Sequence, residues 1–287
     1  MSTRSRHAVP SALLADAVPR PSRRARILEC ELDRVTMDDA LDSIASAIRS
    51  RSYCRHVAIN AAKLVALQHD DRLREIVNGS ELVTADGQAV VWASRLLHDP
   101  VPERVTGIDL MEALFGRAEE RGWRVYILGA RSDVLETAVQ RIRDSHPGLR
   151  IVGCRDGYFE AVDEGAVAES IRQTEPQLVF VAISSPRKEQ FIATHGRHVG
   201  APFIMGVGGA IDVVAGRCRR APVLWQRLGL EWLFRLVQEP RRLARRYATT
   251  NLRFILLVAH ELLGRRNVVG VRGPVLVHRS LRKRSRD

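Results

Sequence analysis

The sequence predicts an α/β protein, a buried parallel sheet flanked by helices, with a helical appendage at its C-terminal end. Three observations carry this. Short, fully apolar runs such as Leu178–Ile183 alternate with amphipathic stretches of helical length, the pattern of strands buried on both faces by crossover helices. The apolar runs end on glycine or Ala-Asp-Gly turns, as at Gly129, Gly206 and Ala85-Asp86-Gly87. After Pro222 the alternation stops and only helical periodicity remains.

Taken in order, residues 1–26 are rich in Arg, Ser and Pro and read as a disordered basic arm. Thr36 with Asp39 three residues on has the spacing of a helix cap, opening a helix to about Arg49. His56–Ile59 is a short strand, two helices fill 61–78, and Leu82–Thr84 is a strand ending at Ala85-Asp86-Gly87. Helices follow over 88–97 and 108–121. Arg124–Leu128 is a strand, 132–145 a helix, Leu149–Gly153 a strand and 163–173 a helix. Leu178–Ile183 precedes a helix starting near Pro186, and Pro202–Met205 is the last strand. A short helix over 229–238, Pro240, and a long helix over 241–263 complete the chain before a basic tail. The domain reading is therefore an arm over 1–26, a core over 27–222, an appendage over 223–264 and a tail over 265–287. The appendage is expected to be separable from a core that folds without it.

The net charge of +12 is unevenly placed. The arm carries +5 and the tail +7, while residues 27–234 sum to −4 and 235–264 to +4. An acidic body with basic ends and 5% aromatics is not a nucleic-acid binder. Arginine outnumbers lysine overwhelmingly, with Lys only at 63, 188 and 283. The four cysteines, at 30, 54, 154 and 218, lack metal-ligand spacing, which points to reduced thiols in a cytoplasmic setting. No apolar run reaches the length of a membrane span. Homo-oligomerisation is left open.

Ligands of parallel sheets sit outside the carboxyl ends of the strands. That places Gly129, the 153–159 loop, Ser184–Lys188 and Gly206–Asp212 on one rim. Gly206-x-Gly208-Gly209 either makes a tight turn or lets backbone N–H groups approach a phosphate or sugar. It is not a dinucleotide fingerprint, because Ile211 occupies the place of the third glycine. There is no phosphate-binding loop of the Walker type and no Asp-x-Asp. His195 and His198 lack a third ligand partner and read as a solvated helix face. No metal and no cofactor are called for. Asp86, at a strand end before a helix, either caps helix 88–97 or accepts a proton from an attacking hydroxyl.

Several motifs in order resemble the WecG/TagA/CpsF glycosyltransferases over about residues 28–250. They are Asn60; Ala85-Asp86-Gly87; Arg104-Val-Thr-Gly107-Ile-Asp109; Tyr126-Ile-Leu-Gly129; Gly157-Tyr158-Phe159; Ser185-Pro186-Arg-Lys188-Glu189; Gly206-Val-Gly208-Gly209-Ala-Ile-Asp212; Ala215-Gly216; Arg220-Ala-Pro222; Gly229-Leu-Glu-Trp-Leu-Phe-Arg235; and Glu239-Pro-Arg-Arg242. The resemblance implies a Rossmann-like core and a membrane-touching C-terminal appendage. It implies inverting, metal-independent transfer of a hexose-type sugar from a UDP-sugar to a sugar on undecaprenyl diphosphate. The sugar would be N-acetylmannosamine, its uronic acid or a glucose type, in cell-surface polysaccharide or teichoic-acid-like synthesis. Asp86 falls on the family's general base, and Asn60 and Arg104 on its pocket. Arg235, Arg242 and Arg245 match appendage arginines that complete the site near the diphosphates. The other substrate-binding candidates are Gly107, Asp109, Gly129, Tyr158, Pro186, Lys188, Glu189, Gly206, Gly208, Gly209 and Asp212. The implied partners are the UDP-sugar, the polyprenyl-linked acceptor and an anionic membrane surface, on the inner face of the cell membrane. Two positions depart from the family pattern: Ala58 stands where a Thr is usual, and Lys188 where a Gln is usual. They point to retuned specificity or an inactive member. A nucleotide-dependent oxidoreductase or epimerase is the competing class, disfavoured by the missing third glycine.

Overall fold

A computed structural model describes residues 24–227, 229–238 and 240–270. Six strands form one parallel sheet: β3 (Cys54–Ile59), β4 (Leu82–Ala85), β5 (Arg124–Gly129), β6 (Arg150–Arg155), β7 (Leu178–Ala182) and β8 (Phe203–Gly206). Their order is β4-β3-β8-β7-β5-β6. A two-stranded antiparallel hairpin, β1 (Ala25–Ile27) and β2 (Cys30–Leu32), precedes the sheet. The α/β class with a Rossmann-like parallel sheet is therefore what the molecule has.

Alternation along the strands distributes the helices over both faces. Val125 and Ile127 pack with α1 (Met37–Ser50), α5 (Gly107–Arg121) and α6 (Ser132–Ser145), while Tyr126 and Leu128 pack with α7 (Glu164–Gln173) and α8 (Arg187–His195). Near the β4 edge, Val57, Ile59 and Val83 pack with α2 (Ala61–Leu67), α3 (Asp71–Asn78) and α4 (Gln88–Leu96). Each such large apolar side chain stabilises the fold by roughly 1.5–3 kcal/mol on burial. The expected cap is present: Thr36 accepts from the Asp39 amide, and the Asp39 carboxylate accepts from the Thr36 amide. Satisfying these otherwise orphaned donors fixes where α1 begins.

The hairpin and two short helices, α9 (Ala210–Val214) and α10 (Val223–Arg227), have no clear signal in the sequence and were not expected. The basic arm ends sooner than its composition suggests. Ala25 and Ile27 are fully buried, and Arg24 Nε donates to Asp33 Oδ1 at 2.8 Å. Three-residue strands are too short for period-2 alternation to stand out.

The C-terminal helices are α11 (Glu231–Gln238) and α12 (Pro240–Gly270), the latter running past the expected end at 263. α12 packs on the core. Phe254 and Val258 are buried in the same core as α2 to α4, with Leu257 and Leu262 packed against it. Glu261 Oε2 accepts from the Leu28 amide at 2.9 Å, tying α12 to the hairpin. No helix among the described residues is long and apolar enough to cross a membrane.

Candidate active site

All six strands run the same way, so their carboxyl ends form one rim: Ile59, Ala85, Gly206, Ala182, Gly129 and Arg155. Gly129 is required where it stands. Its φ is +122°, and a Cβ there would lie 2.4 Å from the Ala182 carbonyl carbon. Only glycine lets β5 and β7 end this close together. The Gly157 amide donates to the Ala130 carbonyl at 2.9 Å, which lays the 156–159 loop against the same turn. Tyr158 on that loop is 75% exposed, its ring free of the core, while Phe159 is buried beneath the Arg187 guanidinium.

Asp86 lies one residue past β4. Its amide donates to the Ile59 carbonyl at 2.8 Å, locking the turn to the neighbouring strand end. It is not the cap of α4: that position is Gly87, which makes no side-chain cap. Instead Asp86 Oδ1 accepts from the Gly107 amide at 2.9 Å, in the first turn of α5. That bond orients the carboxylate. Asn60 caps α2, its Oδ1 accepting from the Lys63 amide at 3.0 Å. A Cβ on Gly87 would come within 3.5 Å of Asn60, so the two strand-end turns touch.

The Ser185–Pro186 bond is cis, and α8 begins at Arg187. Ser185 Oγ and Lys63 Nζ both donate to Glu189 Oε1, at 3.0 and 2.9 Å. Lys188 Nζ lies 3.6 Å from the same oxygen. Burial pushes the Glu189 carboxyl up, but Lys63 and Lys188 outweigh it and the net shift is downward. Burial and the Lys63 charge push the Lys188 ammonium down, against the opposing pull of Glu189 and Asp86. His56, on β3, lines the same cleft as Lys63, Lys188 and Glu189. Burial, with Lys63 and Lys188, lowers its pKa to about 3. Its Nε2 is 2.9 Å from Thr84 Oγ1, which itself donates to the Val105 carbonyl. The neutral ring therefore carries its proton on Nε2.

Gly206 and Gly208 have a steric reason. A Cβ on Gly206 would stand 2.5 Å from Lys188 Cδ, and Gly208 has φ +50°. Gly209 sits next to Asp212, a Cβ there lying 3.5 Å from Asp212 Oδ2.

Arg104 reaches across to the C-terminal helices, with Nη1 3.3 Å from Glu231 Oε2 on α11. Asp109 is engaged structurally: Thr106 Oγ1 donates to one carboxylate oxygen and Arg220 pairs with the other. It thus joins the start of α5 to the Arg220-Ala-Pro222 segment. Arg235 lies on α11, and Arg242 and Arg245 on α12, but their side chains lie outside the described residues. His195 and His198 face Glu164 and Glu169.

The strand ends thus bring Asp86, Asn60, Gly107, Lys188, Glu189 and Gly206 to one part of the rim, with Gly129 and Tyr158 further along it. Lys63 and His56 are the members that sequence reasoning missed. The rarity of lysine in an arginine-rich chain is the signal that marks Lys63. A rim of this kind belongs to an α/β enzyme that takes its substrates at the strand ends. The chain belongs to the WecG/TagA/CpsF glycosyl transferase family, whose sequence pattern matches residues 25–268.

Proposed function

We propose that the protein is an inverting transferase that moves a hexose-type sugar from a UDP-sugar to a sugar carried on a polyprenyl diphosphate. The position of Asp86 carries this reading: a partly exposed carboxylate at the rim, aimed by the Gly107 amide and free of the capping role its sequence position suggests. Asp86 takes the proton of the acceptor hydroxyl as that oxygen bonds to the anomeric carbon. The bond from that carbon to the UDP oxygen breaks on the opposite face, and the electron pair leaves with the diphosphate. Basic groups and rim N–H donors stabilise the departing charge, each worth about 3–4 kcal/mol of barrier by analogy with oxyanion-hole donors. Arg235, Arg242 and Arg245 are proposed to approach the diphosphates from the C-terminal helices. Attachment is peripheral, at the inner face of the cell membrane.

Asp86→Asn tests the assignment. The amide oxygen still accepts from Gly107, so the fold stands, but the base is gone. Turnover, read as UDP released with a lipid-linked acceptor, is expected to fall at least about a hundredfold, with UDP affinity nearly unchanged. Near-normal turnover would remove Asp86 from the chemistry. Because no Asp-x-Asp is present, transfer is expected to persist in EDTA. Loss on chelation with recovery on manganese addition would refute the metal-free scheme.

A further inference from the structure

A chain with 45 basic residues contains three lysines, and two of them meet on one carboxylate oxygen, Glu189 Oε1. Lys188 is 9% exposed and Glu189 2%. One carboxylate does not balance two ammonium groups, and uncompensated charge is costly on a buried floor. Among the described residues, the other acid whose charge reaches Lys188 is Asp86. In the proposed reaction Asp86 gains a proton, which leaves the floor with an excess positive charge while negative charge grows on the leaving group.

The Lys188 stem lies flat on Gly206, and its Nζ is 3.4 Å from where a Cβ on Gly208 would stand. The ammonium therefore comes up against the glycine turn at the rim. A narrow stem carrying a point charge fits this passage, where the planar fork of an arginine would need more width. Glycines at 206 and 208 leave the space that the lysine uses.

We infer that Lys188, backed by Lys63, forms a seat for an anionic oxygen of the donor, either a phosphate oxygen or a carboxylate on the transferred sugar. This rests on the UDP-sugar reading above. Lys188 selects the donor by charge, and Lys63 holds Glu189 so that the Lys188 ammonium stays turned to the rim.

The test is calorimetric titration of the full chain with UDP, UDP-glucose, UDP-glucuronate and inorganic pyrophosphate. Lys188→Gln keeps the stem and removes the charge. Gly206→Ala keeps the charge and displaces the stem. Urea unfolding checks that both fold. If the seat takes phosphate, both variants weaken all four ligands by about tenfold or more. If it takes a sugar carboxylate, only UDP-glucuronate weakens by that factor. Unchanged affinity of Lys188→Gln for every ligand the native protein binds would overturn the inference, as would native protein that binds none of the four. Gly206→Ala binding as tightly as native would overturn the placement of the stem. Native protein that binds pyrophosphate through Lys188 but no uridine compound would sink the donor reading and leave the seat standing.

Discussion

At the scale of single residues, the site rests on groups whose surroundings differ sharply from water. His56 shows this most plainly. In the folded protein it stays neutral down to about pH 3, whereas its ordinary pKa is 6.5. The unfolded chain therefore takes up a proton as pH falls through 6.5, and the folded one does not. Above that pH the residue makes stability no more pH-dependent; between about 6.5 and 3 it favours unfolding by a slope approaching about 1.4 kcal/mol per pH unit. Urea unfolding at pH 7, 6 and 5 is expected to show this loss, and His56→Gln to flatten it. An equal slope in the variant would mean that carboxylates alone set the acid response. Asp86 was legible in the sequence as a rim carboxylate, but its partner was not. Gly107 is 21 positions away, and the bond from the Val105 amide to the Ala85 carbonyl brings its amide to the carboxylate. Asp109 teaches the converse. It belongs to a family motif, yet its oxygens are engaged by Thr106 and Arg220, which ties the start of α5 to the Arg220-Ala-Pro222 segment.

At the scale of elements, the strands were legible because their side chains are buried on both faces, so apolar runs stand out. The hairpin was not, since three residues give no period. Nor was the pairing of α11 with the core, which joins Arg104 and Glu231 across 127 positions. Both side chains are mostly buried, at 15% and 14% exposure, so the pair escapes much of the screening that makes surface ion pairs weak. It ties the segment before α5 to the first residue of α11. A double-mutant cycle of Arg104→Ala and Glu231→Ala, read by urea unfolding, is expected to give a coupling of about 1–2 kcal/mol. Additive single effects would show that α11 docks through its apolar side chains and that Arg104 is held by other means.

At the scale of the whole molecule, the question is what α12 does once one of its faces has been used. The packed face carries Phe254, Leu257, Val258 and Leu262. Leu252, Ile255, Leu256 and Leu263 recur at spacings of three, four and seven on the opposite face and are each about 60% exposed. A helix apolar on both sides has two neighbours, and the described residues supply one of them. The sequence showed the apolar run but could not divide it between faces, because the division depends on which side meets α2. It follows that removing α12 is a poor test of membrane attachment: the deletion takes Phe254 and Val258 from the core and is expected to destabilise the body. Point changes on each face separate the two roles. Val258→Asp, which places an unpaired carboxylate in the core, is expected to cost several kcal/mol in urea unfolding. Ile255→Asp is expected to leave stability within about 0.5 kcal/mol. If the outer face lies in the headgroup region, the same change weakens binding to vesicles of anionic lipid. It removes roughly 1.5–3 kcal/mol of apolar burial and adds a charge repelled by the surface. The basic residues of 235–264 predict that native binding weakens as salt rises. Co-sedimentation with anionic vesicles at low and high salt reads both effects. If Ile255→Asp sediments as fully as the native protein while keeping its stability, the outer face of α12 is not what meets the membrane.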